Sequence, residues 1–241
     1  MAIADIGNVA PANSKTTGTT LTANPTATLE AGNWGVLMFV MDNVQTTVGF
    51  SNDVTSVEDS GGNTWTKIAE FTHSNGAAGD GSTGALFITK ATSDVVLTTG
   101  TITVNHSSCD ARALRVHEFS GGTPAIAASA IIKNIGTLTV AHLALNNLTS
   151  REYLFFRMHT HQGTVTNFTN TAGWTGITAT GTTGGTGGSN VSFDAEFIIT
   201  TATQAVSGPT YAGTNAVGIL AAIYEDSGGG GGGTMVSGFV G

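Results

Sequence analysis

Cys109, the one cysteine of the chain, sits in the run His106-Ser107-Ser108-Cys109-Asp110. A thiol becomes a nucleophile when a neighbouring imidazole takes its proton and a third group orients that imidazole. Here the His is three residues away at what reads as a strand end, and no Asn or Asp orienter is identifiable. The sequence therefore predicts an inert free thiol and no enzymatic activity. The pair His159-Thr160-His161 places two imidazoles on one face of a strand. Such a pair can ligate zinc if folding adds His142 or His73, but a structural or solvent-facing pair is the expectation. Asp59-Ser60-Gly61-Gly62-Asn63 and Asn75–Asp80 carry oxygen donors on glycine-rich turns. Hairpin turns ask for the same residues, and the ligand spacing of a twelve-residue calcium loop is missing. Gly184–Gly188 lacks the Lys-Ser/Thr that completes a phosphate loop. Glu58-Asp59 and Glu225-Asp226 are adjacent pairs, so on strands each would point to opposite faces, unlike a glycosidase pair. Sequons at Asn105, Asn147, Asn167 and Asn190 follow from a composition rich in Asn and Thr. The expectation is no catalytic residue, no cofactor and no metal.

The elements that would position these groups are strands. The chain has 241 residues, 40% hydrophobic and only 10% charged, with 34 glycines. Thr favours strands and Gly favours tight turns. Gly35–Val40, Leu86–Thr89, Thr101–Val104, Leu114–Phe119, Tyr153–Met158, Glu196–Thr200 and Val217–Tyr224 read as strands. The best helical candidate is the Ala-rich stretch Pro124–Ile132, and Gly181–Ser189 reads as a loop. Short strands at regular spacing indicate β-sandwiches.

Four blocks of the first half recur in order in the second. Thr19–Met41 matches Gly136–Met158. Asp59–Phe71 matches Thr169–Gly181, setting Trp65 against Trp174. Gly84–Ser93 matches Asp194–Thr203, and Ala111–Gly121 matches Gly218–Gly228. The expected fold is all-β, with two tandem β-sandwich repeats of jelly-roll or Ig-like type over residues 1–122 and 123–227. Residues 228–241 form a Gly-rich C-terminal tail. The tail joins the hexaglycine Gly228–Gly233 to Met235, Val236, Phe239 and Val240, which read as an apolar peg for a partner. Trp65 and Trp174 read as core or hairpin anchors, or as exposed platforms for a glycan, with Trp34 and Tyr153 as further candidates.

Net charge is −8 with no basic run. Phosphate backbones and anionic membranes are recognised by clustered Lys and Arg, so neither nucleic acid nor membrane is an expected partner. No apolar run reaches membrane-spanning length, and the start Met1–Ala10 has neither the basic nor the apolar region of a secretory signal. A neutral surface of Thr, Ser, Asn and Gly suits close packing against identical neighbours.

ATLEAGNWGVLMFVMDN (Ala27–Asn43), DSGGNTWTKIAEF (Asp59–Phe71), LTTGTITVNHSS (Leu97–Ser108) and ALRVHEFSG (Ala113–Gly121) resemble small β-sandwich proteins from the structural-gene regions of tailed bacteriophages. The second half departs by losing the Asp-Ser-Gly-Gly-Asn turn. The resemblance implies a virion protein made in the host cytoplasm: a capsid decoration protein, fibre or tail component. It would be a homo-oligomer, a trimer being the expected order, in contact with other virion proteins. Two repeats in a trimer would form a pseudo-sixfold ring. A carbohydrate-binding adhesin that takes host-surface glycan is the alternative.

Overall fold

The computed structural model describes residues 2–49, 52–133, 138–140, 145, 148–164, 170–185, 189–202, 211–213, 216–226 and 236–239. Among them the chain forms strands only as its regular elements. The first half contains β1 (Ala4–Ser14), β2 (Gly18–Ala23), β3 (Trp34–Asp42), β4 (Val54–Asp59), β5 (Trp65–Ser74), β6 (Gly81–Lys90), β7 (Ile102–Cys109) and β8 (Arg112–Ser120). The second half continues with β9 (Thr123–Lys133), β10 (Leu138–Val140), β11 (Arg151–Gln162), β12 (Thr175–Gly181), β13 (Val191–Ala202), β14 (Tyr211–Gly213), β15 (Val217–Asp226) and β16 (Val236–Phe239).

Three main sheets stack in layers. The middle sheet has the order β1-β8-β3-β6-β5. A three-stranded sheet, β2-β7-β4, covers one face, and a six-stranded sheet, β12-β13-β11-β15-β9-β16, covers the other. β10 and β14 pair separately. This layering explains the uninterrupted apolar run of β3. The strand is central in the middle layer, and all nine of its residues are buried. Val36, Met38 and Val40 enter the core shared with the six-stranded sheet, while Leu37, Phe39 and Met41 enter the core under β2-β7-β4. β7 has one buried face and so keeps the alternation read from sequence, with Ile102 and Val104 buried and Thr103 and Asn105 half-exposed.

The largest core lies between the five- and six-stranded sheets and draws on both halves of the chain. Phe119 meets Phe156 and Phe197 edge to face, at centroid separations of 6.3 and 4.9 Å, a favoured aromatic geometry. A third cluster on the far face of the six-stranded sheet holds Tyr153, Phe155, Trp174 and Leu220.

The two large sheets share one strand order. Read from its first strand, the middle sheet runs β1-β8-β3-β6-β5, and the six-stranded sheet runs β9-β15-β11-β13-β12, with β16 added outside β9. They face each other in opposite lateral sense: β1 lies across from β12 and β5 from β9, while β3 contacts β13 and β6 contacts β11. Matched strands run in the same direction. β3 ends where Asp42 pairs with Ser82, and Ser82 meets Thr160 near the end of β11. An approximate half-turn about an axis along the strands therefore superposes one strand order on the other.

Two sequence expectations change in the structure. Pro124–Ile132 is not helical but lies within β9, because its main chain pairs with β15 from Asp226 to Val217, and that ladder overrides the helical preference of Ala. Blocks matched without gaps also face different cores: Met41 lies under the three-stranded sheet, whereas Met158 lies between the large sheets. Because strands have a period of two, a slip of one residue is enough to exchange faces.

Because the halves share a core, they are expected to unfold together. Phe156→Ala should cost about 3–5 kcal/mol through its cavity and lost burial. Chemical denaturation followed by Trp fluorescence should show one transition at lower denaturant, and an unchanged first-half transition would contradict the coupling.

Candidate functional site

β3, β6, β7 and β8 bring Asp42, Ser82, His106, Cys109 and Arg112 to one end of the sheets, and all five are buried. The His106 Nδ1 lies 2.7 Å from the Ser107 carbonyl. A carbonyl only accepts, so this nitrogen carries the proton. Cys109 Sγ lies 3.7 Å from the same nitrogen, which has no lone pair left to take a proton from sulfur. Burial pushes the thiol up to about 12, against the opposing pull of Arg112, and burial also holds His106 below the usual imidazole range. Both effects favour the protonated thiol. Arg112 instead fixes the β1–β2 connection: its Nε and Nη2 donate to the Thr20 carbonyl, and its Nη1 donates to that of Thr16.

The other candidates are built into turns and strands. His161 is buried, with Nε2 2.8 Å from Ser192 Oγ, and burial lowers its pKa. His159 is half-buried and His73 is buried in β5, whereas His142 lies outside the described residues. Among the described residues no group of three His, Cys, Asp or Glu side chains could hold a metal ion. Asp59 closes its own turn, Oδ1 accepting from the Asn63 backbone N–H and Oδ2 from Trp65 Nε1 at 2.7 Å. The Asn63 side chain then clamps the following loop through the backbone N–H groups of Thr92 and Ser93. Asn75 and Asp80 bond to each other across their turn.

The aromatic side chains sort by burial. Trp34 is fully buried, and its Nε1 donates to the Gly122 carbonyl. Tyr153 is buried, with its hydroxyl donating to the Thr149 carbonyl. Trp174 is 7% exposed, with the Arg157 guanidinium 4.4 Å above its ring. A sugar-stacking platform needs an open ring face, so burial makes Trp174 a core anchor. Trp65 is half-buried against the core under the three-stranded sheet, where it also blocks the space above Gly35.

Of the apolar tail residues, Val236 and Phe239 belong to β16, while Met235, Val240 and Gly228–Gly233 lie outside the described residues. β16 adds to the edge of the six-stranded sheet. It runs parallel to β9, with Val236 opposite Ala128, Ser237 opposite Ser129, Gly238 opposite Ala130 and Phe239 opposite Ile131.

Sequence reasoning missed the polar groups that tie strands and loops together within and between the halves. Lys90 Nζ donates to the carbonyls of Gly121 and Gly122 at the junction, 2.7 Å each. Lys15 Nζ reaches the Gly184 carbonyl and Ser189 Oγ, and Arg115 Nε donates to Thr180. Buried Arg157 pairs with Glu196 and bonds to Thr171. These are isolated charges in a weakly charged chain, and no local spacing links them. Their scarcity in the strands is the one signal that could have singled them out.

Asp42 supplies a pH test. Burial raises its carboxyl from 3.8 to about 6, while Oδ2 accepts from the Ala111 N–H. The folded state therefore holds a proton more tightly than the unfolded state, and stability falls as pH rises from about 4 through 6. Asp42→Asn should stabilise the protein by about 1–3 kcal/mol at pH 7, and the gain should vanish below pH ~4. Urea denaturation across that range checks it, and a gain independent of pH would contradict the assignment.

Comparison of the chain with known protein families, with curated proteins and with solved structures finds no match.

Proposed function

We propose that the chain is a structural protein of a bacteriophage particle. In this reading it is an exterior capsid decoration, fibre or tail component, made in the host cytoplasm and assembled as a homo-oligomer with other virion proteins. Its body is a tandem duplication of one β-sandwich, residues 1–122 and 123–227, followed by an assembly segment over 228–241.

The observation that carries the reading is the repeated strand order of two sheets that face each other across one core. Face-to-face burial makes one block of the two halves. Lys15 and Arg115 bridge them at the rim through main-chain and hydroxyl acceptors. The chain is weakly charged, and its described surface exposes few large apolar side chains, Ile6, Val96 and Leu97 among them. Such a surface favours close packing against like surfaces, since few charges must be desolvated on contact. The adhesin alternative asks for open aromatic rings, and Trp34, Tyr153 and Trp174 are buried instead.

Native mass by light scattering is expected to show an oligomer, a trimer in the simplest case, and a smaller species for a chain ending at Ser227. Mass spectrometry of purified particles should find the chain in fixed ratio to the other particle proteins. A monomeric full chain that is absent from particles would overturn the proposal.

A further inference from the structure

The half-turn that relates the two strand orders maps β9 onto β1, and the two are not equally open to an added strand. Each is the first strand of its sheet, pairs antiparallel with the last long strand of its half, and contains a bulge. In β1 the bulge falls at Val9, between Asn8 and Ala10, and in β9 it falls at Ala127, between Ile126 and Ala128. A regular ladder follows each bulge: Ala10, Pro11, Ala12 and Asn13 in β1, and Ala128, Ser129, Ala130 and Ile131 in β9. The second position of that ladder is Pro11 in one strand and Ser129 in the other. Proline has no N–H to donate, and it stands in sheets where that side faces outward, which closes an edge. β1 carries a second bulge between Asp5 and Gly7, a further guard. β9 carries a serine, and Ala128–Ile131 is the stretch on which β16 is seated.

The seat is read through the main chain, because β16 is four residues long and lies in register beside β9. Main-chain pairing of this kind is the same whichever copy of the chain supplies the strand. The sequence between Asp226 and Val236 is nine residues, six of them consecutive glycines. Asp226 is opposite Thr123 and Val236 opposite Ala128, so within one copy the connection crosses two strand spacings and about five residues of β9, roughly 17–19 Å. Nine residues can extend to about 30 Å, so the connection has the length for a neighbour's edge as well as its own.

We propose that, in the assembled state, the β9 edge of one copy accepts β16 from the next, while the Pro11 edge accepts none. The proposal rests on the assembly reading above and specifies its contact. Each chain then has one donor strand and one acceptor edge, a head-to-tail contact that closes into a ring or runs on as a filament.

Ala130 and Gly238 are register partners, so cysteines at these positions report which copy supplies the strand. Cys109 is buried and stays in place. Full-length A130C and G238C chains, mixed at assembling concentration and mildly oxidised, are expected to give a covalent heterodimer. The double variant should give covalent multimers. Light scattering of Ser129→Pro, which copies the closed edge, should show the oligomer lost while near-ultraviolet circular dichroism stays native. An internal cross-link in the double variant without heterodimers, or a fully assembled Ser129→Pro chain, overturns the exchange. If the wild-type oligomer persists in light scattering beside that result, the assembly reading survives without exchange. A wild-type monomer would remove both.

Discussion

Phe119, Phe156 and Phe197 meet between two sheets that neither half of the chain could leave bare. The inner face of the six-stranded sheet carries Leu154, Met158, Ile219 and Ile223, and that of the middle sheet carries Trp34, Val36, Met38 and Leu86. Exposing either face would leave a contiguous apolar surface beyond what a monomeric protein tolerates. Burial of one against the other therefore decides the architecture. It puts β3 in the middle of a stack, makes its hydrophobic run necessary, and places the Gly121–Gly122 junction against the Trp34 ring.

That core also determines what the polar residues can do. At one end the strands carry Asp42, His106 and Arg112 into buried positions, where each is tied to a main-chain group. Desolvation favours the thiol form of Cys109 and raises Asp42, both effects of burial. In the second half the buried Arg157–Glu196 pair lies over Trp174 and fixes Thr171 through a backbone N–H and a hydroxyl. Removing one partner would leave a buried charge, which is why such pairs resist change whatever their net contribution to stability.

Much of the fold was legible in the residues, and the losses have physical causes. Strands that alternate, such as β7, or that run apolar throughout, such as β3, announce themselves by period and length. The order of the matched blocks anticipated the shared strand order, but their faces were not legible. A gapless match puts Met41 against Met158, and one residue of slip sends them to different cores. Pro124–Ile132 misled because Ala prefers helix until a neighbouring strand supplies a ladder. The tryptophans were ambiguous for a similar reason. A Trp after a turn can stack on a sugar or anchor a core, and only the position of Arg157 and the third apolar cluster decides for Trp174. The partner strand of Val236–Phe239 was not legible, since pairing with β9 through the main chain leaves no side-chain code.

The relation between the halves also restricts how copies can be arranged. A pseudo-sixfold ring would need the two halves of a chain to differ by one-sixth of a turn about a common axis. Here they differ by about half a turn about an axis along the strands, with their large sheets face to face. The relation the two halves show is therefore not that of neighbours in a sixfold ring. A directional association of copies needs a contact that breaks the internal symmetry. Pro11 against Ser129 is such a break, because it leaves β9 as the edge on which an added strand is seated while closing its counterpart. A symmetric block with one asymmetric edge can associate directionally, whereas two open edges would let every copy bind in two equivalent ways.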